Sequence, residues 1–437
     1  MQASIIAALR KAEEEGDLSR IKSGILRKAA SLLSIVGPGL FLIGYNIGTG
    51  SVTTMASAGS RYGMGLFWLL ILSCIFSYIG IVSYGKFTVV TGETAMSAFR
   101  KHLPFGRFLA IYSIVGMSLG AMAGVAGVMG IVVDLIREWT MVLFGGRGFN
   151  VLWSAMVIIT GCYYLLWCGG YSIFEKFLAT LVLVMGVSFF LSMFLVVPQP
   201  QELMLGLVPH VPEGPNSLLI MSAMGGTTCG ALLFVMRSLL VAEKGWRVRD
   251  LHKENLDALV SVLLMLLLSG AIMACAAGTL YRMGSPVERA VDMVRILEPL
   301  AGRFAISIFV VGIIGAGVSS IFPQAPVLPW LICDYRGKKL ETGSGLFRLL
   351  AGVSLLAGLT VPLLGGRPVW IMIGVTAFQT TMMPVISLAI LYLVNNRKLM
   401  GEHRAGFWMN LGLVALCLFS VSTACMGVAG LVKAFSV

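Results

Sequence analysis

Gly44-Tyr45-Asn46-Ile47-Gly48-Thr49-Gly50-Ser51-Val52-Thr53-Thr54 interrupts the first long apolar run of the chain, and Ser222-Ala223-Met224-Gly225-Gly226-Thr227-Thr228-Cys229-Gly230 interrupts the sixth. Glycine is a poor helix former, and Ser and Thr hydroxyls offer the backbone competing partners. In hydrocarbon, a broken helix leaves amides and carbonyls unmet, which is tolerable only where they line a cavity or hold something. Two such stretches at corresponding places in two halves predict discontinuous helices meeting near the middle of the membrane.

The runs around them set the fold class. The chain has 437 residues, of which 57% are hydrophobic and 12% charged, against about a quarter charged in a soluble domain. Eleven apolar segments are expected, at about 32–58, 66–90, 108–136, 151–168, 177–197, 217–241, 256–280, 304–330, 346–364, 370–394 and 407–432. Most are long enough to span as helices, and none alternates as a barrel strand must. An all-α integral membrane fold follows. It has two inverted five-helix repeats (about 31–198 and 216–395), an eleventh helix (about 406–433) and a polar lead-in over residues 1–30.

The net charge of +12 raises the question of nucleic acid, but its placement answers otherwise. Basic residues cluster on alternate connections, from Arg10–Lys28 through Arg100–Arg107, Lys244–Lys253 and Arg336–Lys339 to Arg397–Arg404. That is the positive-inside pattern, giving a cytoplasmic N-terminus and, with an odd count, an external C-terminus of a multi-pass cell-membrane protein. No contiguous basic face exists for nucleic acid. Residues 1–30 lack an apolar core, so no cleavable signal is expected. The eight cysteines include no CxxC pair and sit mostly in apolar runs as packing residues. Membrane lipid is the expected surround and a monomer the expected state.

The candidate site collects Asn46, Gly48, Thr49, Gly50 and Ser51 from the first break with Gly226, Thr227, Thr228 and Gly230 from the second. Gly116, Gly120 and Gly124 recur every four residues in segment 3 and read as a smooth face for helix packing. Arg237 is the one basic residue well inside a run. It either faces an inner vestibule, where it would repel cations, or pairs with Asp257, Glu243 or Glu175.

Gly37-Pro38-Gly39, Ala58-Gly59-Ser60-Arg61-Tyr62-Gly63, Thr91-Gly92-Glu93, Gly317-Val318-Ser319-Ser320, Met383-Pro384 and Asn396-Arg397-Lys398-Leu399-Met400-Gly401 together resemble the Nramp divalent-metal transporters in order and spacing, over nearly the whole chain. The resemblance implies a LeuT-type fold and transport of an inorganic divalent cation. It also exposes departures. The family's metal-binding Asp-Pro-Gly-Asn falls on Gly48-Thr49-Gly50-Ser51, and its Met-Pro-His on Gly230-Ala231-Leu232. The acidic pair associated with proton movement falls on Gly124 and Gly127, and the segment 10 glutamine near Thr376, with Gln379 a turn further on.

A desolvated transition-metal dication asks for carboxylate, imidazole or sulfur donors, and the breaks offer hydroxyls, one amide and backbone. Carbonyls there suit a hard cation that keeps much of its water, as Mg²⁺ does. Amides at the same breaks equally suit a small anion or carboxylate such as bicarbonate, a short organic acid or an amino acid. No midplane cluster of His, Asp or Glu supports an enzyme, and no cofactor is expected. The expectation is a secondary or facilitative carrier of a small ion or solute, with weak or no proton coupling and with Arg237, Thr376 and Gln379 along its pathway. A transporter-like sensor is the remaining alternative.

Overall fold

The structure is a computed structural model that describes residues 48–144, 148–168, 200–214, 216–296, 298–338 and 343–435, with positions 146, 186, 189–190 and 193. The lead-in, the first half of segment 1 with Asn46, and nearly all of segment 5 with Glu175 lie outside the described residues.

All described elements are helical. They are α1 (Thr49–Tyr62), α2 (Phe67–Thr91), α3 (Ala95–His102), α4 (Gly106–Phe144), α5 (Val151–Cys168), α6 (Ser217–Thr228), α7 (Ala231–Lys244), α8 (Leu251–Ala276), α9 (Glu298–Gln324), α10 (Val327–Arg336), α11 (Gly345–Leu356), α12 (Pro368–Gln379), α13 (Met383–Asn395) and α14 (Phe407–Phe435). Among the described residues, eight helical stretches are long and apolar enough to cross a bilayer. The 39 residues of α4 extend about 58 Å at the helical rise, well beyond a hydrocarbon core of about 30 Å. The expected end at residue 136 is therefore too early, because Asp134 and Arg137 do not stop a helix that has already left the apolar layer.

Burial ranks these spans. Within Ser217–Lys244 the apolar window is 94% buried, against 33% for Gly345–Leu364 and 39% for Phe407–Ala434. α6 and α7 thus form the centre, while α11 and α14 present apolar side chains such as Leu349, Leu356, Leu411 and Leu418 outward. α6 packs on α1, α12 and α14, α4 packs on α9 and α12, and α8 packs on α1 and α2.

The sixth segment is divided as expected, and the eighth and tenth are divided as well. The sixth breaks at Cys229-Gly230, where Gly230 is extended (φ −86°, ψ 142°) and caps α7. The eighth divides between Gln324 and Val327, and the tenth passes through a 3₁₀ turn at Thr380–Met382. Proline explains the last two: Pro326 sits between α9 and α10, and Pro384 lies in the first turn of α13.

The sequence motifs outside the breaks hold turns. Gly92 ends α2 at φ +69°, a conformation glycine adopts without a Cβ penalty. Asn396 caps the short helix that follows, accepting from Lys398 N at 3.0 Å. Buried Asp334 accepts from Met96 N at 3.0 Å and Ser97 N at 3.3 Å, and from the Thr94 hydroxyl, fastening α10 to the start of α3.

Candidate binding site

The breaks meet. Ser51 Oγ in the first turn of α1 lies 2.9 Å from Thr227 Oγ1 in the last turn of α6, a buried hydrogen bond across 176 residues of sequence. Around it is a cavity of about 50 Å³ lined by Gly48, Gly50, Ser51, Gly226, Thr227 and Gly230 from the two breaks. Thr376 and Gln379 of α12 also line it, as do Met117, Ser320, Gln324, Met372 and Met382, with Ala231, Leu232 and Leu233 of α7. A water needs roughly 10–15 Å³ on this measure, so the space admits a few waters, or one small ion with part of its shell.

Most of the expected site residues thus share one cavity. Thr49 opens α1 beside it. Thr228 is buried and does not line the cavity; its backbone carbonyl accepts from Ser77 Oγ on α2 at 2.7 Å. Ser320, Gln324 and the three methionines are additions that the sequence reading missed.

Among the described residues no lining side chain is charged, and no three His, Cys, Asp or Glu cluster closely enough to hold a metal. The helix ends carry partial charges of both signs. α1 and α7 start at the cavity with glycine caps and no side-chain cap, so amides are directed there. α9 and α12 end there, contributing the carbonyl pole.

The segment 3 glycines do more than smooth a helix face. A Cβ on Gly116 would overlap Met382, and one on Gly124 would overlap the Gln324 amide oxygen. One on Gly120 would meet Gln379 Cγ at 3.0 Å, and one on Gly127 would meet Met372 Sδ at 3.0 Å. The stripe on α4 therefore seats four side chains of the cavity wall, and the space an acidic pair at positions 124 and 127 would need is filled from α9 and α12. Gly226 has a packing reason of its own, since a Cβ there would overlap the Thr376 carbonyl oxygen.

Arg237 is not a vestibule residue. It is 0% exposed and does not line the cavity. Its Nη1 donates to Asp257, its Nε and Nη2 reach Glu254 Oε1 at 3.3 and 3.0 Å, and Nη2 also reaches Glu254 O at 3.1 Å. Trp246 covers one face, 5.7 Å from ring centroid to guanidinium carbon. The buried pair with Asp257 is thus present, Glu254 joins it unforeseen, and Glu243 is exposed. The physical reason is solvation: an arginine in the interior persists only where its donors are met.

A second ion pair joins α1 to α12 at their other ends. Arg61 Nη2 donates to Glu288, whose other carboxylate oxygen accepts from Trp370 Nε1 at 2.9 Å and lies 3.8 Å from Arg367 Nη1. The Arg61 guanidinium also stacks over the Trp370 ring at 4.9 Å. Partial burial alone would raise the Glu288 carboxyl, but the hydrogen bonds from Trp370 and Arg61 and the two guanidinium charges outweigh it and hold the group below its ordinary value.

Known proteins place this architecture. The sequence model described as "Natural resistance-associated macrophage protein-like" matches residues 39–430. A protein named divalent metal cation transporter MntH from Verminephrobacter eiseniae is 23% identical over 88% of this chain and 86% of its own. One of the same name from Ralstonia nicotianae is 25% identical over 89% of each. The crystal structure of an Eremococcus coleocola manganese transporter mutant superposes with a TM-score of 0.73 at 16% identity, covering 92% of this chain and 88% of that one. The LeuT-type fold expected from the two broken helices is therefore the fold observed, and a match over residues 39–430 means that the chain belongs to the Nramp-like family.

Proposed function

We propose that this chain is a membrane carrier for a divalent cation that crosses partly hydrated, held by uncharged oxygen donors, with little or no proton coupling. The observation that carries this reading is the cavity itself: it sits where the start of α1 meets the break between α6 and α7, admits a small ion with some of its water, and among the described residues has no charged side chain in its wall. The family relatives named as divalent metal cation and manganese transporters supply the class of cargo. The departures at Gly48, Ser51 and Gly230 supply the difference, since Mn²⁺ or Fe²⁺ bound through its first shell would want softer or anionic donors. Mg²⁺ dehydrates reluctantly and is content with waters bridged to neutral oxygens. Gly48, Gly50, Ser51, Thr227, Gly230, Thr376 and Gln379 are the proposed contacts. Arg237, locked between two carboxylates, puts no free positive charge near the pathway.

A small anion or carboxylate is the second reading, favoured by the uncapped N-termini of α1 and α7 at the cavity. Uptake into proteoliposomes of Mg²⁺, Mn²⁺, bicarbonate, short carboxylates and amino acids separates the two. Saturable Mg²⁺ uptake, with Mn²⁺ weaker, supports the first reading, and saturable uptake of an anion alone overturns it. The alternating basic connections further support a cytoplasmic N-terminus and an external C-terminus. An impermeant thiol reagent applied outside should then label a cysteine placed after Val437 and not one placed after Ala3, and the reverse pattern would exclude that orientation.

A further inference from the structure

All but one of the polar side chains that wall the cavity have a hydrogen bond within the protein. Ser51 and Thr227 hold each other, Thr376 Oγ1 donates to Met372 O at 3.1 Å and Ile373 O at 3.0 Å, and Ser320 Oγ donates to Ala316 O at 2.7 Å. Gln379 Nε2 donates to Gly120 O at 3.2 Å. Gln324, only 7% exposed, lines the cavity with no hydrogen-bond partner among the described residues. Its amide is not among the sealed, unpartnered atoms of the interior but opens onto the cavity, where water or an ion can meet it.

Its placement is built rather than incidental. Gln324 is the last residue of α9, between Pro323 and the Pro326 that caps α10, so the chain turns there and the amide is held at the carbonyl pole of a helix. That pole favours positive charge. Gly124 on α4 provides the seat, because any side chain there would overlap the amide. Ser320, one turn earlier on the same face, already spends its hydroxyl on its own helix.

We propose that Gln324 is a specificity-determining contact of the transported cation, its amide oxygen taking one place in the coordination or hydration shell, and that Gly124 is the positioning residue that seats it. The proposal rests on the divalent-cation reading above. An amide is neutral at every physiological pH, so this contact contributes polarity without a titrating charge.

The test is calorimetric binding of MgCl₂ and MnCl₂ to the purified full chain, with thermal melting recorded on the same samples. Gln324→Leu keeps the volume and removes the amide. It should weaken Mg²⁺ binding tenfold or more while the melting temperature stays close to that of the wild type, because the amide makes no hydrogen bond to the described residues that the variant would lose. Gln324→Glu should tighten binding tenfold or more, with the gain lost on acidification as the carboxylate protonates. Gly124→Ala keeps the amide but displaces it, and should weaken binding without abolishing it; this variant decides the matter if Gln324→Leu does not fold. Wild-type affinity retained in both Gln324→Leu and Gly124→Ala would overturn the proposal and leave the cation reading standing. A wild-type chain that binds neither cation would overturn both.

Discussion

Helix α7 carries two polar regions that behave oppositely. At its start, Gly230, Ala231, Leu232 and Leu233 wall a cavity with no charge and one unpartnered amide. About two turns on, Arg237 has every guanidinium nitrogen engaged by Glu254 or Asp257 and no exposed surface. Both are polar islands in a helix whose surroundings are apolar. What separates them is charge: the guanidinium is held by two carboxylates of α8, whereas the described cavity wall is neutral.

The largest effect is expected at the charged end. Arg237→Gln leaves Glu254 and Asp257 buried without their cation, and breaking such a pair costs about 3–5 kcal/mol. Folded yield and melting temperature should fall sharply. A variant that melts like wild type but transports differently would move Arg237 back to the pathway and erase the contrast.

The next effects lie at the breaks and compare two glycines. Gly226→Val drives a side chain into the Thr376 carbonyl oxygen, and overpacking of this kind costs about 1–3 kcal/mol, so stability and uptake should fall together. At Gly50 an added Cβ overlaps Met372 Cε at 2.7 Å, the end of a flexible side chain that can turn aside, and otherwise meets Thr376 Cγ2 in ordinary contact at 3.8 Å. Gly50→Ala should therefore melt within a few degrees of wild type while uptake drops, as measured on matched proteoliposomes. Equal destabilisation at both sites would argue that the first break is also a packing feature.

The smallest expected effect is at Glu288, in the contact between α1 and α12. Its carboxyl is held below the ordinary glutamate value, which is about 4.3 in the unfolded chain. A depressed folded value means the contact contributes fully above that pH and is lost as pH falls through the folded value. Glu288→Gln should thus flatten a small acid-induced loss of stability below about pH 4 and leave the melting temperature at pH 7 only slightly lower. An unchanged acid profile would show that the contact stabilises nothing.

Much of this was legible because a membrane interior punishes irregularity. Glycines and hydroxyls clustered at 44–54 and 222–230 could hardly be anything but interruptions, and Ser51 and Thr227 indeed join across them. Gln324 was not found, although Pro323-Gln324-Ala325-Pro326 carried the same signal of a break in an apolar run. Met117, Met372 and Met382 were invisible because a methionine facing a cavity and one facing lipid look alike in sequence. The α4 glycines were read as a helix-packing face, whereas they receive the ends of long side chains from α9, α12 and the turn after it, a relation that only three dimensions disclose. Glu254 was missed as a partner of Arg237, although it lies three residues before Asp257 and so on the same face of α8.

The central claim is that an uncharged cavity carries a divalent cation without a coupled proton. Its most direct test records Mg²⁺ uptake, proton movement and current together in proteoliposomes at clamped membrane potential. The account predicts saturable Mg²⁺ entry carrying about two positive charges per ion, the charge of the bare dication with neutral ligands, with no lumenal acidification that follows the ion. Tight Mn²⁺ uptake accompanied by stoichiometric acidification, or a current of the opposite sign carried by an anion, would contradict it.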